Sequence, residues 1–115
     1  MALQRTTLSL DCSLLQAGDA VAAAISAMGM KVTSAEDTAD GFHRSGKEKV
    51  NWLSSKWPFH VDVVGRPAGD AVLVEVLAGA SSSIGAKGHV ERKLGQFVEL
   101  IETHSGSAGE PSATE

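Results

Sequence analysis

The sequence is poor in aromatic residues, with three Phe, two Trp and no Tyr among 115 residues. A core must therefore be built mainly from Val, Leu, Ile and Ala. Apolar residues make up 43% of the chain, an ordinary share for a globular protein, and this excludes disorder of the whole chain. The length suits one domain with one modest core.

Cysteine, basic residues and long apolar runs are also scarce. A single cysteine, Cys12, cannot form an internal disulfide, so nothing requires an oxidising compartment. The net charge of −4 and the dispersed basic residues argue against a nucleic-acid partner. No apolar run approaches the roughly 18 residues of a membrane span, and the first residues, MALQRTTLSLD, lack the apolar run of a leader peptide. We therefore expect a cytoplasmic protein with no membrane span.

Two segments have the pattern of amphipathic helices. The first, Ser13–Met28, opens with the capping box Ser-Leu-Leu-Gln and ends before Gly29, which suits a left-handed stop. The second runs from Gly88 to His104 with apolar residues at helical spacing. Gly95 lies in its middle at a cost of about 1 kcal/mol relative to Ala, and we expect it to let the helix lie close to a neighbour.

Alternation of apolar and polar residues indicates strands between and before these helices. Residues 46–57 fit either a connection with a strand fragment or a helical turn. Turn residues at 66–70 join the last two strands into a hairpin. The predicted strands are Thr6–Asp11, Met30–Thr33, Phe42–Ser45, Phe59–Val64 and Ala71–Ala78.

The order of these elements predicts an α+β two-layer sandwich, in which an antiparallel sheet of four to five strands carries two helices on one face. We expect this domain to span residues 4–104, followed by a disordered tail at 105–115, which has no large apolar residue.

The segments TLSLDCSLLQA, AMGMKV and IGAKGHVERKLGQFVELIE carry a family resemblance. Their order resembles the TATA-binding-protein-like topology, of which the helix-grip domains (START and polyketide-cyclase) are enlarged versions. It is also similar to small uncharacterised bacterial domains. The resemblance implies the fold and a binding role. It implies no reaction, because helix-grip domains share no catalytic residues.

The loop GASSSIGAKGH, residues 79–89, has the glycines, hydroxyls and lysine of a phosphate cradle but not their spacing. A P-loop needs G-x-x-x-x-G-K-[ST]; here Ala86 stands in the place of the lysine, and Gly88 follows Lys87. The loop is therefore interpreted as a strand-to-helix link. Lys87 and Gly88 remain a weak candidate site for an anion at the helix N-terminus.

Other candidate residues each have a structural alternative. His43, His60, His89 and His104 lack the spacing of zinc ligands. His60 and Asp62 lie on one face of a strand, where they could open a metal site or simply be solvated. Ser81–Ser83 lack the sequence context of a nucleophile. Cys12, before the capped helix, is either a favoured thiolate or a small buried residue. Trp52 and Trp57 could line a ligand mouth or a partner surface, or pack in the core.

The second face of the predicted sheet is unusually apolar. A two-layer sandwich should leave that face wet, yet it includes large aliphatic residues, which suggests that something covers it. This interaction face consists of His60, Asp62, Val64, Leu73, Glu75 and Leu77.

Two functions follow, and a third is disfavoured. The first is a non-catalytic interaction module that associates through this open face, as a homodimer or with an unknown protein partner. The alternative is a carrier of a small apolar ligand or lipid, with a cavity lined by Val61, Val72, Val74 and Phe97; against it, so short a chain leaves little room for a pocket of about 300 Å³. An enzyme is disfavoured, since no group of residues forms a catalytic constellation, and no cofactor or metal is expected.

Overall fold

The structure, a computed structural model, describes residues 2–48, 58–80 and 86–106. They form an α+β fold with a five-stranded antiparallel sheet and two helices, which confirms the predicted fold class. The elements in chain order are β1 (Ala2–Leu10), α1 (Leu14–Ala27), β2 (Met30–Thr38), β3 (Gly41–Glu48), β4 (Phe59–Ala68), β5 (Ala71–Ala80) and α2 (Ala86–Ser105).

The sheet order is β1-β5-β4-β3-β2. Strands β2 to β5 follow one another as a meander, and β1 adds to the outside of β5. The predicted β4–β5 hairpin is present, but its turn is shorter than the predicted 66–70. Residues 66–68 continue β4 and pair with β5 up to Ala68 and Ala71, which leaves Gly69 and Asp70 as the turn. Both helices pack on one face, α2 against β1 and β5, and α1 against β2, β3 and β4. This face is called the inner face below, and the opposite one the outer face.

Helix α1 begins and ends where its sequence predicts. The Ser13 hydroxyl accepts a hydrogen bond from the Gln16 N–H at 3.1 Å, and the Gln16 side chain accepts one from the Ser13 N–H at 3.0 Å, which completes the capping box. Gly29 follows the helix with φ of 79°, a left-handed conformation that glycine adopts without strain. Ala17, Val21 and Ile25, which lie at helical spacing on one side of α1, are fully buried.

Two glycines allow the core to close tightly. A Cβ on Gly46 of β3 would lie 2.6 Å from Ile25 Cγ2, so α1 rests directly on this strand. A Cβ on Gly65 of β4 would lie 2.1 Å from the ring of Phe42. At both glycines, a neighbouring apolar side chain occupies the space that a Cβ atom would need. The core around these two positions is therefore filled by the protein itself.

Arg44 is the charged residue buried on the inner face, with 6% of its surface exposed. Its Nη1 donates to the Glu36 and His43 carbonyls at 3.0 Å each, and its Nη2 donates to Asp37 Oδ1 at 2.9 Å. Gly18 of α1 leaves room for it, because a Cβ there would lie 2.9 Å from Nη2. A buried guanidinium needs such partners, and here they connect β2 with β3.

Several strands and the second helix extend beyond their predicted boundaries. β1 begins at Ala2, β2 continues to Thr38, β3 continues to Glu48, and α2 begins at Ala86. The extension of β2 was missed because almost all of its residues are exposed, so no apolar alternation marks it. The expected role of Gly95 is also wrong within this chain, because it is exposed and a Cβ there would meet nothing within 4 Å.

Some sequence predictions fall outside the described residues. These are Trp52, Trp57, Ser81–Ser83 and residues 107–115 of the predicted tail, so the proposed boundaries of the domain remain a prediction. Neither described helix has the length and apolar character that crossing a membrane requires.

The seam between α2 and the sheet gives a stability prediction. Phe97 is fully buried, so Phe97→Ala should lower the free energy of unfolding by about 3–5 kcal/mol. The exposed Glu99 lies on the same helix, and Glu99→Ala should cost less than about 0.5 kcal/mol. Urea unfolding of both variants measures the difference, and equal losses would contradict the assigned helix face.

Candidate binding surface

The outer face carries the residues that the sequence predicted to face away from the helices. On β4 and β5, the inner positions Val61, Val63 and Val74 have 1% exposure or less. The six predicted interaction residues alternate with them, and none is fully buried. The geometry thus assigns the predicted residues to one face, while their role in binding stays a prediction.

Cross-strand register arranges this face in three rows. Leu77 lies opposite Asp62, Glu75 opposite Val64, and Leu73 opposite Arg66. On the other side of β5, these three positions lie opposite residues 5, 7 and 9 of β1, respectively. The apolar side chains therefore alternate with charged ones across neighbouring strands.

The apolar patch is defined here as Val64, Leu73 and Leu77. Val64 is 45% exposed, and both leucines are half-buried. Arg66 and Arg5, opposite the leucines on the flanking strands, add positive charge beside the patch, and Asp62 adds negative charge opposite Leu77. Glu75 lies between the two leucines, so the patch has one acidic residue at its centre and charges of both signs around it.

A polar cluster borders this patch on β3 and β4. Asp62 Oδ1 accepts a hydrogen bond from the Ser45 hydroxyl at 2.5 Å and lies 3.3 Å from His43 Nε2. The Ser45 oxygen is also 3.3 Å from the same His43 nitrogen. The sequence suggested His60 as the neighbour of Asp62, but register brings His43 and Ser45 to it from the adjacent strand. His60 lies instead opposite Lys47 and Gly79.

The cluster contains Ser, His and Asp but is not arranged as a proton relay. In a catalytic triad, the carboxylate and the hydroxyl bind opposite nitrogens of the imidazole. Here both Ser45 and Asp62 approach the Nε2 atom of His43. Among the described residues, no three His, Cys, Asp or Glu side chains come together in a way that could hold a metal ion. The cluster therefore acts as a fixed polar border of the patch.

A shallow groove of about 220 Å³ continues from Val64 towards β2. Its walls include His43 and Arg66, and its floor crosses Gly41 and Gly65, where β3 and β4 carry no side chain. It is small for a drug-sized ligand, but an apolar side chain of a partner would fit it.

A second polar cluster closes the seam between the sheet and α2. Glu48 Oε1 accepts a hydrogen bond from the Phe59 N–H at 2.9 Å, and its Oε2 accepts one from Lys93 Nζ at 2.8 Å. Partial burial raises the pKa of Glu48, but the bonds from Lys93 and Phe59 and the charges of Lys93 and His89 outweigh it. The pKa of Glu48 therefore lies below its ordinary value.

The remaining predicted residues lie apart from the outer face. Burial, and then the charge of Asp11, raises the pKa of the Cys12 thiol, which favours the small buried residue over the thiolate. Lys87 and Gly88 lie within the first turn of α2 rather than before it, and the Lys87 side chain is outside the described part. An anion site there stays a prediction.

Comparisons with known proteins identify the fold. No family model and no curated protein matches the sequence. Among solved structures, the di-domain ARO/CYC protein StfQ from the steffimycin biosynthetic pathway superposes with a TM-score of 0.57 and 12% identity, over 93% of this chain and 46% of that one. The chain thus spans about half the length of StfQ.

With two further solved structures, the similarity extends over nearly the whole length of both chains. A protein from Chromobacterium violaceum gives a TM-score of 0.54 at 8% identity, over 90% of this chain and 96% of that one. Ara h 8.0201 gives 0.53 at 7% identity, over 90% and 95%. Identities this low establish the fold alone. The chain has a helix-grip fold, as the sequence resemblance implied.

The cluster at Glu48 gives a prediction with a pH dependence. Since the pKa of Glu48 is lowered by folding, its stabilisation is present above the ordinary value of 4.5 and is lost as the pH falls through the folded-state pKa. Glu48→Gln should cost about 1–2 kcal/mol at pH 7 and should flatten the decline of stability below about pH 5.

Thermal unfolding of Glu48→Gln and of the wild type from pH 7 to pH 3 measures this difference. Glu99→Gln, which changes an exposed carboxylate on α2, serves as the control. If Glu48→Gln is less stable than the wild type by the same amount at pH 7 and at pH 3, the charge of Glu48 and its ion pair with Lys93 contribute nothing to stability.

Proposed function

We propose that this chain is a non-catalytic binding domain that associates through the outer face of its sheet with the same face of a second copy. The observation that carries the proposal is the apolar patch of Val64, Leu73 and Leu77, set in charges of both signs. A solvent-exposed sheet face does not need three aliphatic residues in diagonal positions on two neighbouring strands.

The rows of the outer face fit a two-fold axis that lies between two stacked sheets. The axis runs across the strands, along the row that contains Glu75 and Val64. It therefore exchanges the row of Leu73 and Arg66 with the row of Leu77 and Asp62. Leu73 then faces the partner's Leu77, and Arg66 faces the partner's Asp62. Both contacts occur twice, and Val64 meets its own copy on the axis.

The same axis has one unfavourable consequence. Glu75 lies in the central row, so it would face the partner's Glu75. Two carboxylates facing each other repel, which makes the contact weaker than its apolar patch alone would give.

The first test of this contact is Leu73→Lys. A lysine there would bury a charge against the partner's Leu77, and we expect association to weaken by more than about thirtyfold. Light scattering over a concentration series measures the mass, and circular dichroism confirms folding. The control is Ser26→Lys, which adds the same charge at an exposed position of α1, on the opposite side of the sheet. A Leu73→Lys chain with unchanged mass would contradict the proposal.

The second test is Glu75→Gln, which should change association in the opposite direction. Removal of the facing charges should tighten association several-fold. A simple loss of surface solubility or of folding would not give this result. If Glu75→Gln weakens association, the axis is placed wrongly.

A second candidate function, an apolar-ligand carrier, is supported by the fold shared with StfQ and Ara h 8.0201. Tight packing of Ile25 on Gly46 leaves no room under α1, so a ligand would lie beneath α2, where the inner positions of β5 are the small residues Ala78 and Ala80. A hydrophobic probe dye should then bind the wild type and Leu73→Lys alike, but not Ala78→Phe.

A further inference from the structure

The sheet has a long free edge at β1. Within the part of the chain that the structure describes, β1 is hydrogen-bonded to β5 on one side and to no strand on the other. Its pairing with β5 runs without a register shift from Ala2, opposite Ala80, to Leu10, opposite Val72. The other side of this nine-residue strand therefore presents a regular row of backbone N–H and C=O groups.

The opposite edge of the sheet is protected, and β1 is not. Strand β2 has a register shift between Val32 and Ser34, and it carries the charged residues Lys31, Glu36 and Asp37. Irregularities and charges are the usual devices that prevent one edge strand from pairing with another. By contrast, β1 has no proline, no bulge and only one charged residue.

The core is also incompletely covered along β1. The inner positions of the neighbouring β5, Val72, Val74 and Val76, are 3% exposed or less. On β1 the inner residues Thr6 and Leu8 are only half-buried. An additional strand beside β1 would cover Leu8 and satisfy the free backbone groups at the same time.

We propose that β1 pairs antiparallel with β1 of a second copy, about a two-fold axis normal to the sheet at Thr6, which joins the two sheets into one. The second copy is favoured over other peptides because antiparallel pairing of the strand with itself about Thr6 places no like charges opposite each other. Thr6 is the central residue of Ala2–Leu10, so pairing about it uses the whole strand.

The charge on β1 agrees with this register. Pairing about Thr6 sets Arg5 opposite the partner's Thr7, whereas pairing about residue 5 would place the two arginines against each other. Thr6 itself meets the partner's Thr6, and two threonines are a favourable cross-strand pair.

The helices leave room for this contact. Strands are spaced about 4.8 Å apart, so a helix over the middle of the β1–β5 pair lies about 5 Å from the axis. The two copies of α2 would then run about 10 Å apart, a normal distance for packed helices. Gly95, exposed and without a neighbour inside its own chain, reduces the bulk of α2 for such an approach.

This edge contact does not depend on the proposed function, because it uses the backbone of β1 rather than side chains of β4 and β5. If both contacts form, they build an assembly larger than two chains, and loss of either contact leaves the dimer that the other one forms. Leu73→Lys should therefore leave every result below unchanged, and the failure of one proposal can be told from the failure of the other.

Disulfide trapping tests the edge contact directly. In a Cys12→Ala background, Thr6→Cys places two thiols opposite each other at about 4.5–5.5 Å between Cα atoms, within disulfide range. We expect most of the chain to become a covalent dimer under mild oxidation. Ser9→Cys is the control, since its two copies would lie about 20 Å apart. A Thr6→Cys chain that stays monomeric, or a Ser9→Cys chain that is trapped equally, would overturn the proposal.

Charge changes at Thr7 provide a second test. These changes are made in the Leu73→Lys background, because Thr7 also lies on the outer face, opposite Glu75. In that background Thr7→Glu should pair with the partner's Arg5 and increase association of the chain about fivefold, and Thr7→Arg should decrease it about fivefold. The stability of the single chain should change in the opposite order. Thr7 lies opposite Glu75 within the chain, so arginine at this position should raise the melting temperature and glutamate should lower it. If the substitutions acted only through the stability of the single chain, the same variant would show both the higher melting temperature and the stronger association. That result would overturn the register.

Discussion

Ile25 of α1 lies directly on Gly46 of β3, where even a methyl group would come within 2.6 Å of it. This contact holds α1 against the middle of the sheet, and Val21 and Ala24 on the same side of the helix are buried with it. Since α1 then covers β2, β3 and β4, the remaining inner surface belongs to α2, which covers β1 and β5. The placement of both helices thus depends on one residue without a side chain.

The same contact limits where a ligand could lie inside the described part of the molecule. Because α1 rests on the sheet backbone at Gly46, the interior around this contact is filled by the protein itself. The places that the contact leaves open include the small-residue end of β5, the outer face and the edge of β1. For a chain this short, surface association requires less of the core than an internal pocket does, because a pocket removes packing from a core that is already small.

Local signals in the sequence predicted much of this architecture. The capping box at Ser13, Gly29 after α1 and the alternation of β4 and β5 each depend on residues close together in the chain, and each was found where it was expected. The two faces of β4 and β5 were also assigned correctly. A two-residue period leaves no ambiguity about which residues share a face once one face is buried.

The contacts that were missed depend on register between strands. His43 and Ser45 reach Asp62 only because β3 is paired with β4 across a connection whose length does not determine the pairing. The polar alternation of His43, Ser45 and Lys47 was the available signal, but it could not name a partner strand. Burial of Arg44 was equally hidden, since it requires Gly18 on α1 and Asp37 on β2 to come together from separate elements.

The two edges of the sheet differ for a reason that follows from these contacts. On β2, the carboxylate of Asp37 and the carbonyl of Glu36 both accept hydrogen bonds from Arg44. Polar groups of this strand are therefore used in contacts within its own chain. On β1 no comparable polar contact draws the strand inwards among the described residues, and its inner residues Thr6 and Leu8 are only half-buried. An edge with one charged residue and no bulge, next to a core that is partly open, is stabilised by pairing. Pairing about Thr6 uses the whole strand and keeps the two copies of Arg5 from lying opposite each other, which favours a second copy of the chain as the partner.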